Sequence, residues 1–257
     1  MSQSPLQAQI RVYATPDEVA RAAARSLAEV ATVAMSHSGR FTLALSGGET
    51  PRPLYHTLAE EYRETLPWPK MHLFWGDDRF VPPDDPSSNY RLVQETLLQH
   101  VPVQQINVHP MPVFFHDPAA AAADYEATLK AYWRSAWPRL DLMLQGLGAD
   151  GHTASLFPHA PALAARQRWV AAVSEPSVTP SQRLTVTLPV INSAARVYFI
   201  VTGAEKAGVV AEVLSGHADA EACPAAGVQP VNGEVVWWLD EAAAAELGAV
   251  IIGGSSD

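Results

Sequence analysis

The chain has 257 residues, of which 48% are hydrophobic and 17% are charged, a composition typical of folded globular proteins and too apolar for intrinsic disorder. Its formal net charge of −10 argues against a nucleic-acid partner, because nucleic-acid binding depends on neutralising phosphates. No apolar run approaches the roughly 20 residues needed to span a bilayer, so we expect no membrane partner.

Cys223 is the single cysteine, which excludes a disulfide framework within the chain and favours a reducing, cytoplasmic location. The first residues, MSQSPLQAQI, have no basic region followed by an apolar one, so we expect no secretory signal. The length suits one α/β domain, and we predict a single domain over residues 1–257 that is a monomer or a weak oligomer.

Strand-like and helix-like runs alternate along the chain. The first helix is predicted from Thr15-Pro16-Asp17-Glu18, which has a capping threonine, a proline at the first helical position and a glutamate at the third, and it extends to about Ser36. The strand-like runs are 41–45, 71–75, 141–145, 197–201 and 235–239. A helix-like run follows each of them (240–247 after the last) except 141–145, which leads into the glycine-rich stretch 146–158. This alternation predicts an α/β, Rossmann-like fold with a mostly parallel sheet and helices on both faces.

The loops that follow parallel strands meet at one edge of the sheet, and ligands bind there. Four such loops carry polar residues: Ser46–Gly48, Gly76–Arg79, Gly146–His152 and Gly203–Lys206. We therefore predict one binding site built from glycines, one histidine, one arginine and one lysine.

The first of these loops, LSGGETP (45–51), is open to three interpretations. Backbone N–H groups between a strand and a helix favour an anion such as phosphate, whereas two glycines alone are also typical of an ordinary turn. The same residues lie one position away from the G-x-S-x-G pattern, which would make Ser46 a nucleophile.

Two cations follow predicted strands. Lys206 is predicted in the first turn of a helix, where the helix dipole opposes a positive charge unless an anion lies between them. Arg79 follows two aspartates and could form an ordinary surface ion pair. A guanidinium group and an ammonium group together would also suit a phosphate.

The stretch GLGADGHTASLFP (146–158) has two interpretations. Its three glycines match the dinucleotide-binding pattern, but Pro158 and Pro161 interrupt the long helix that such a site requires. The alternative is a glycine loop that presents His152, which could act as a general base. No pair of histidines has the spacing of a zinc-binding helix, so we expect no metal.

Five blocks of the chain resemble the 6-phosphogluconolactonase family of the oxidative pentose phosphate pathway. They are LSGGETP, WGDDRFVPPDDPSSNY, DLMLQGLGADGHTASLFP, QRLTVTLPVINSAARVYFIVTGAEKA and WWLDEAAAAEL. The resemblance implies hydrolysis of 6-phosphoglucono-δ-lactone without a cofactor, and it implies that His152 is the catalytic base. It further implies that the phosphate is held by Ser46, Gly47, Gly48, Thr50, Arg79, Arg183 and Lys206.

The chain departs from the family pattern at two positions. Asp78 stands where the family has a glutamate, and Glu49 stands where it has a small hydroxyl residue. Since a carboxylate facing a phosphate would repel it, we expect Glu49 to point away from the site. Either Asp150 or Asp77 could orient the imidazole of His152.

Two other functions fit the same sequence. One is a sugar-phosphate isomerase or deaminase of the glucosamine-6-phosphate type on the same fold. The other is a non-catalytic sugar-phosphate sensor, although no segment resembles a helix-turn-helix DNA reader.

Overall fold

A computed structural model of the chain describes residues 8–248 and contains a seven-stranded and a three-stranded sheet. The strands of the large sheet are β1 (Gln9–Tyr13), β2 (Phe41–Leu45), β3 (Met71–Trp75), β5 (Val108–His109), β6 (Leu142–Gln145), β9 (Arg196–Val201) and β10 (Glu234–Asp240). The strands of the small sheet are β4 (Asp77–Arg79), β7 (Val170–Ser174) and β8 (Gln182–Val186).

The large sheet is parallel throughout, in the order β1-β10-β9-β6-β2-β3-β5. After β2 the chain adds β3 and β5 on one side of that strand. It then returns to β6, on the other side of β2, and adds β9 and β10 beyond it. The strand order therefore reverses between β2 and β6. Such a reversal opens a crevice outside the carboxyl ends of the two strands, where α/β proteins bind ligands.

Six α-helices are described in residues 8–248: α1 (Pro16–Ser38), α2 (Arg52–Glu61), α3 (Asn89–Val93), α4 (Pro118–Trp133), α5 (Leu188–Ile191) and α6 (Ala207–Leu214). Every residue of β2 is buried, as expected for a parallel strand covered on both faces. The α/β, Rossmann-like class predicted from the sequence is confirmed.

Helix α1 begins where the sequence predicts it. Thr15 Oγ1 accepts a hydrogen bond from Glu18 N, and Glu18 Oε2 accepts one from Ala14 N, which is the reciprocal capping arrangement. The helix continues two residues beyond the predicted end and stops at Gly39, whose φ is 70°.

Two local predictions are wrong. The segment Asp77–Arg79, expected to be a loop, forms strand β4, which pairs with β8 in an antiparallel sheet that the alternating pattern does not reveal. Residues 241–246 form successive turns instead of the expected helix. That run is shorter than the ~12 residues an isolated helix needs, and few of its side chains are buried against the core.

Within the described residues, no helix is both long and apolar enough to cross a membrane.

Candidate active site

A cavity of about 250 Å³ lies at the carboxyl ends of β2 and β6, where the strand order reverses. Residues from all four predicted loops line it. From the predicted set these are Ser46, Gly47, Gly48, Thr50, Asp77, Arg79, His152, Arg183 and Lys206. The cavity lining thus includes every predicted site residue except Asp150, which is hydrogen-bonded to His152.

The glycine loop, residues 46–48, forms one wall of this cavity. The N–H groups of Gly47 and Gly48 donate to no acceptor within residues 8–248, so both are available to an anion. Glu49 points away, as predicted: its side chain is 84% exposed and pairs with Arg52 at 2.9 Å. The departure at this position therefore places no negative charge in the cavity.

Ser46 has none of the partners that a nucleophilic serine needs. Its backbone N–H and carbonyl oxygen are both hydrogen-bonded to Tyr55 Oη, at 3.0 Å and 2.6 Å. In the described part of the chain no histidine is hydrogen-bonded to its hydroxyl. This geometry gives the nucleophile interpretation no support.

Two guanidinium groups face the cavity from the small sheet. Arg79 in β4 lies directly opposite Arg183 in β8 in the antiparallel register, although like charges so placed repel each other. Lys206 approaches from the loop after β9. None of the three cations lies within 4.0 Å of a carboxylate in residues 8–248.

Both arginines are held by carbonyl oxygens instead of carboxylates. Arg79 Nη1 donates to Ser87 O at 2.5 Å, while its buried Nε has no partner among the described residues. Arg183 Nε donates to Pro180 O at 3.2 Å. Burial and the nearby charge of Arg79 lower the pKa of Arg183, against the opposing effect of Asp77 and Asp78. An anion between the two arginines would relieve this repulsion.

Lys206 ends a 3-10 turn (Ala204–Lys206) immediately before α6, instead of lying in the first turn of the helix as predicted. Its N–H donates to Gly203 O at 3.1 Å. The buried carboxylate of Asp240 in turn accepts from Gly203 N at 3.1 Å and from Ala243 N at 2.8 Å. Asp240 thereby fixes the loop that presents the lysine.

His152 is paired with Asp150 and not with Asp77. The distance from His152 Nδ1 to Asp150 Oδ1 is 2.5 Å. Since a carboxylate only accepts, Nδ1 carries the proton of the neutral ring and Nε2 keeps its lone pair. Burial raises the pKa of Asp150, but the positive charge that His152 carries when protonated and the hydrogen bonds that it donates outweigh this effect and leave the pKa below its ordinary value.

Asp77, the other candidate for orienting the imidazole, makes no hydrogen bond to His152 within residues 8–248. Its Oδ2 accepts a hydrogen bond from Ser155 Oγ at 2.6 Å, and its Oδ1 accepts from Asn89 Nδ2 at 3.3 Å. The carboxylate lines the cavity in a fixed orientation.

The glycines of 146–151 build the histidine loop and not a dinucleotide site. A Cβ at Gly148 would overlap His152 Nδ1 and Asp150 Oδ1, so only glycine leaves room for this pair. Gly151 has a φ of +80° and packs against Cys223. The loop continues into turns and not into the helix that a dinucleotide site requires.

The loop also uses two of its own N–H groups. Gly148 N donates to His152 O at 2.8 Å, and Gly151 N donates to Gly148 O at 3.1 Å. Neither group is free to stabilise an oxyanion, although a glycine loop is the simplest source of such donors.

Asp78, the second departure from the family pattern, holds the start of α3, whose first residue is Asn89. Its carboxylate accepts from the backbone N–H groups of Arg79, Asn89 and Tyr90 at 2.7 Å, 2.7 Å and 3.0 Å. Burial raises its pKa to about 6, against the opposing effect of these hydrogen bonds. The shorter side chain of aspartate thus has a defined structural role.

Sequence reasoning did not single out Asn89 or Phe157. Asn89 lines the cavity, but an asparagine after two serines is also typical of a turn. The ring of Phe157 lies 4.6 Å from that of His152 and 5.5 Å from the Arg183 guanidinium carbon. A phenylalanine in an apolar run gives no sign of such a position, so only the fold reveals it.

Comparisons with known proteins identify the family to which the sequence is similar. The family described as Glucosamine-6-phosphate isomerases/6-phosphogluconolactonase matches residues 14–237. A 6-phosphogluconolactonase of Nostoc sp. is 43% identical over 92% of this chain and 98% of its own length. One of Synechocystis sp. is 43% identical over 84% of this chain and 88% of its own length.

Solved structures show the same fold. The 6-phosphogluconolactonase from Trypanosoma cruzi superposes with a TM-score of 0.85 at 28% identity, covering 97% of this chain and 100% of its own. A monomeric glucosamine-6-phosphate deaminase superposes with a TM-score of 0.79 at 22% identity, over 93% of this chain and 99% of its own. The likeness to the deaminase concerns the fold alone.

Proposed function

The chain belongs to the family of glucosamine-6-phosphate isomerases and 6-phosphogluconolactonases, and we propose that it hydrolyses 6-phospho-D-glucono-1,5-lactone to 6-phospho-D-gluconate with His152 as the general base. The reaction is the lactonase step of the oxidative pentose phosphate pathway. The proposal makes the protein a carboxylic ester hydrolase that needs no cofactor.

One observation carries the assignment of roles. The paired His152 and the three cations Arg79, Arg183 and Lys206 line the same cavity from different segments of the chain. A base and an anion-binding group on one cavity suit a substrate that has a reactive ester at one end and a phosphate at the other. The 6-phosphogluconolactonases at 43% identity support this choice of substrate.

The proton transfers follow from the tautomer of the imidazole. Nε2 of neutral His152 takes a proton from water as the water oxygen attacks C1 of the lactone. The imidazolium that forms is stabilised by the ionised Asp150 at Nδ1. It then gives its proton to the ring oxygen as the C–O bond breaks. Histidine suits both steps because its ordinary pKa lies near neutral pH.

No covalent intermediate is required, because a δ-lactone is already a reactive ester. This agrees with the surroundings of Ser46, whose hydroxyl has no histidine within hydrogen-bonding distance in the described residues.

The phosphate contributes through binding at a distance from the reacting carbon. Arg79, Arg183, Lys206 and the N–H groups of the glycine loop hold it. Their interaction energy orients C1 against the water beside His152 and so lowers the barrier indirectly.

A coupled assay of lactone decay, corrected for spontaneous hydrolysis, tests the proposal. We expect saturable, enzyme-dependent formation of 6-phosphogluconate. Release of ammonia from glucosamine 6-phosphate, with no acceleration of lactone decay, would instead identify a deaminase. Binding of sugar phosphates without turnover of either substrate would identify a sensor.

A further inference from the structure

Asn89 lies in the cavity wall between strand β4 and the glycine loop. It is 1% exposed. Its backbone N–H donates to Asp78 Oδ1 at 2.7 Å, which anchors the residue beside β4.

The orientation of the Asn89 amide is fixed by what it contacts. Nδ2 donates to the Asp77 carbonyl oxygen at 2.9 Å and lies 3.3 Å from Asp77 Oδ1. A carbonyl oxygen can only accept, so the nitrogen must face Asp77. The amide oxygen Oδ1 consequently points to the other side, toward the glycine loop.

At that side Oδ1 packs directly against Gly47. A Cβ at position 47 would overlap both Oδ1 and Cγ of Asn89, so the amide occupies the space of any larger side chain there. Oδ1 has no hydrogen-bond partner within residues 8–248. A buried acceptor without a donor is unfavourable, and an apolar side chain could fill the same space without that cost.

We propose that Asn89 is a positioning residue of the phosphate site. Its amide holds the glycine loop at a fixed separation from β4, so that the N–H groups of Gly47 and Gly48 and the guanidinium of Arg79 converge on one anion. This inference rests on the phosphate role assigned to those groups under the proposed function.

Asn89→Ala tests the inference through substrate discrimination. Without the amide, the glycine loop loses its separation from β4, and KM for 6-phosphogluconolactone should rise about tenfold or more, the scale of a charge-assisted contact. Turnover of unphosphorylated gluconolactone should change less than threefold. The reason is that the His152 loop makes no hydrogen bond to Asn89.

Asn107→Ala is a matched control. Asn107 is also buried, and its Nδ2 donates to Pro69 O at 3.0 Å, but it does not line the cavity. The control loses a comparable buried hydrogen bond and should lower the melting temperature without changing the ratio of the two lactone activities.

A double-mutant cycle tests the contact itself. Gly47→Ala should weaken binding of 6-phosphogluconate strongly in the natural chain, where the methyl group meets the Asn89 amide. In the Asn89→Ala background the same change should cost less than threefold, because the space is empty. In the double variant the methyl group at position 47 occupies part of that space. If Asn89→Ala alone does not fold, the double variant therefore provides the comparison of the two lactones.

The outcomes separate this inference from the proposed function. Three results would each overturn the role of Asn89. The first is an equal loss of activity with both lactones in Asn89→Ala, and the second is a ratio of the two lactone activities like that of Asn107→Ala. The third is a double-mutant cycle in which the two effects are additive. Failure of the natural protein to prefer the phosphorylated lactone would instead overturn the phosphate site.

Discussion

Arg79 and Arg183 lie directly opposite each other across the antiparallel pair of β4 and β8, and both line the cavity. Repulsion between like charges makes this arrangement unfavourable unless an anion occupies the space between them. The pair therefore identifies the end of the cavity that we assign to the phosphate. Lys206 lines the same cavity.

Removing one cation should separate phosphate recognition from chemistry. Arg79→Ala, Arg183→Ala and Lys206→Ala should each weaken binding of 6-phosphogluconate about tenfold or more, because charge-assisted hydrogen bonds are lost. Gluconolactone, which lacks the phosphate, should react poorly and be little affected. The double variant of Arg79 and Lys206 should fall short of additivity. Titration calorimetry and rates at fixed ionic strength measure this, and equal losses with both lactones would contradict it.

The base is expected to dominate kcat. His152→Ala should retain its fold and lose at least ~100-fold in kcat, and Asp150→Ala should lose at least ~10-fold because the imidazole is no longer held in one tautomer. Asp77→Asn should leave the tautomer of His152 unchanged, which NMR of the ring nitrogens can establish. Near-normal turnover of His152→Ala would rule out the mechanism.

The glycines of the histidine loop should differ in their tolerance of alanine. Gly148→Ala places a methyl group against the contact between His152 and Asp150, so kcat should fall about as far as in Asp150→Ala. Gly146→Ala is the comparison within the same loop: it lines the cavity, but a Cβ there meets no protein atom within 4 Å, so the contact between His152 and Asp150 is retained. Similar losses in both variants would indicate that the loop serves another purpose.

Ser46→Ala should retain substantial activity, since the backbone of Ser46 is held by Tyr55 and its hydroxyl faces no base. Mass spectrometry after rapid quenching should detect no acyl-enzyme. A trapped adduct on Ser46 would establish a serine hydrolase and replace the water mechanism.

Asp78 should make part of the stability depend on pH. Its pKa rises from 3.8 to about 6 on folding because of burial, so the folded state binds the proton more tightly than the unfolded state. The contribution to stability is therefore full below pH 3.8 and is lost as the pH rises through about 6. The shift corresponds to a few kcal/mol, at ~1.4 per unit of pKa.

Asp78→Asn isolates that contribution, because other carboxylates, such as Asp150, have lowered pKa values and the opposite dependence. Urea unfolding at about pH 4 and about pH 7 should show that the natural protein, relative to the variant, is less stable at the higher pH. A constant difference between the two proteins across this range would contradict the raised pKa.

Local patterns in the sequence determined the elements that carry the site. The runs 41–45 and 71–75 coincide with β2 and β3, since continuous apolar runs bounded by turn residues are typical of buried parallel strands. The capped start of α1 was equally local, as it depends on four consecutive residues. From parallel strands alone it followed that Gly48, Arg79, His152 and Lys206 share one edge of the sheet, and all four line one cavity.

Only the tertiary structure decided which of these residues touch. Distances of a few ångströms place Asp150, and not Asp77, against His152. They also place Arg79 opposite Arg183 and pack Asn89 on Gly47, which are contacts between segments far apart in the chain. Periodicity specifies which face of an element is buried, but antiparallel register and side-chain packing arise from the assembled core. For that reason the sequence could predict the loops of the site but not the contacts that give each side chain its role.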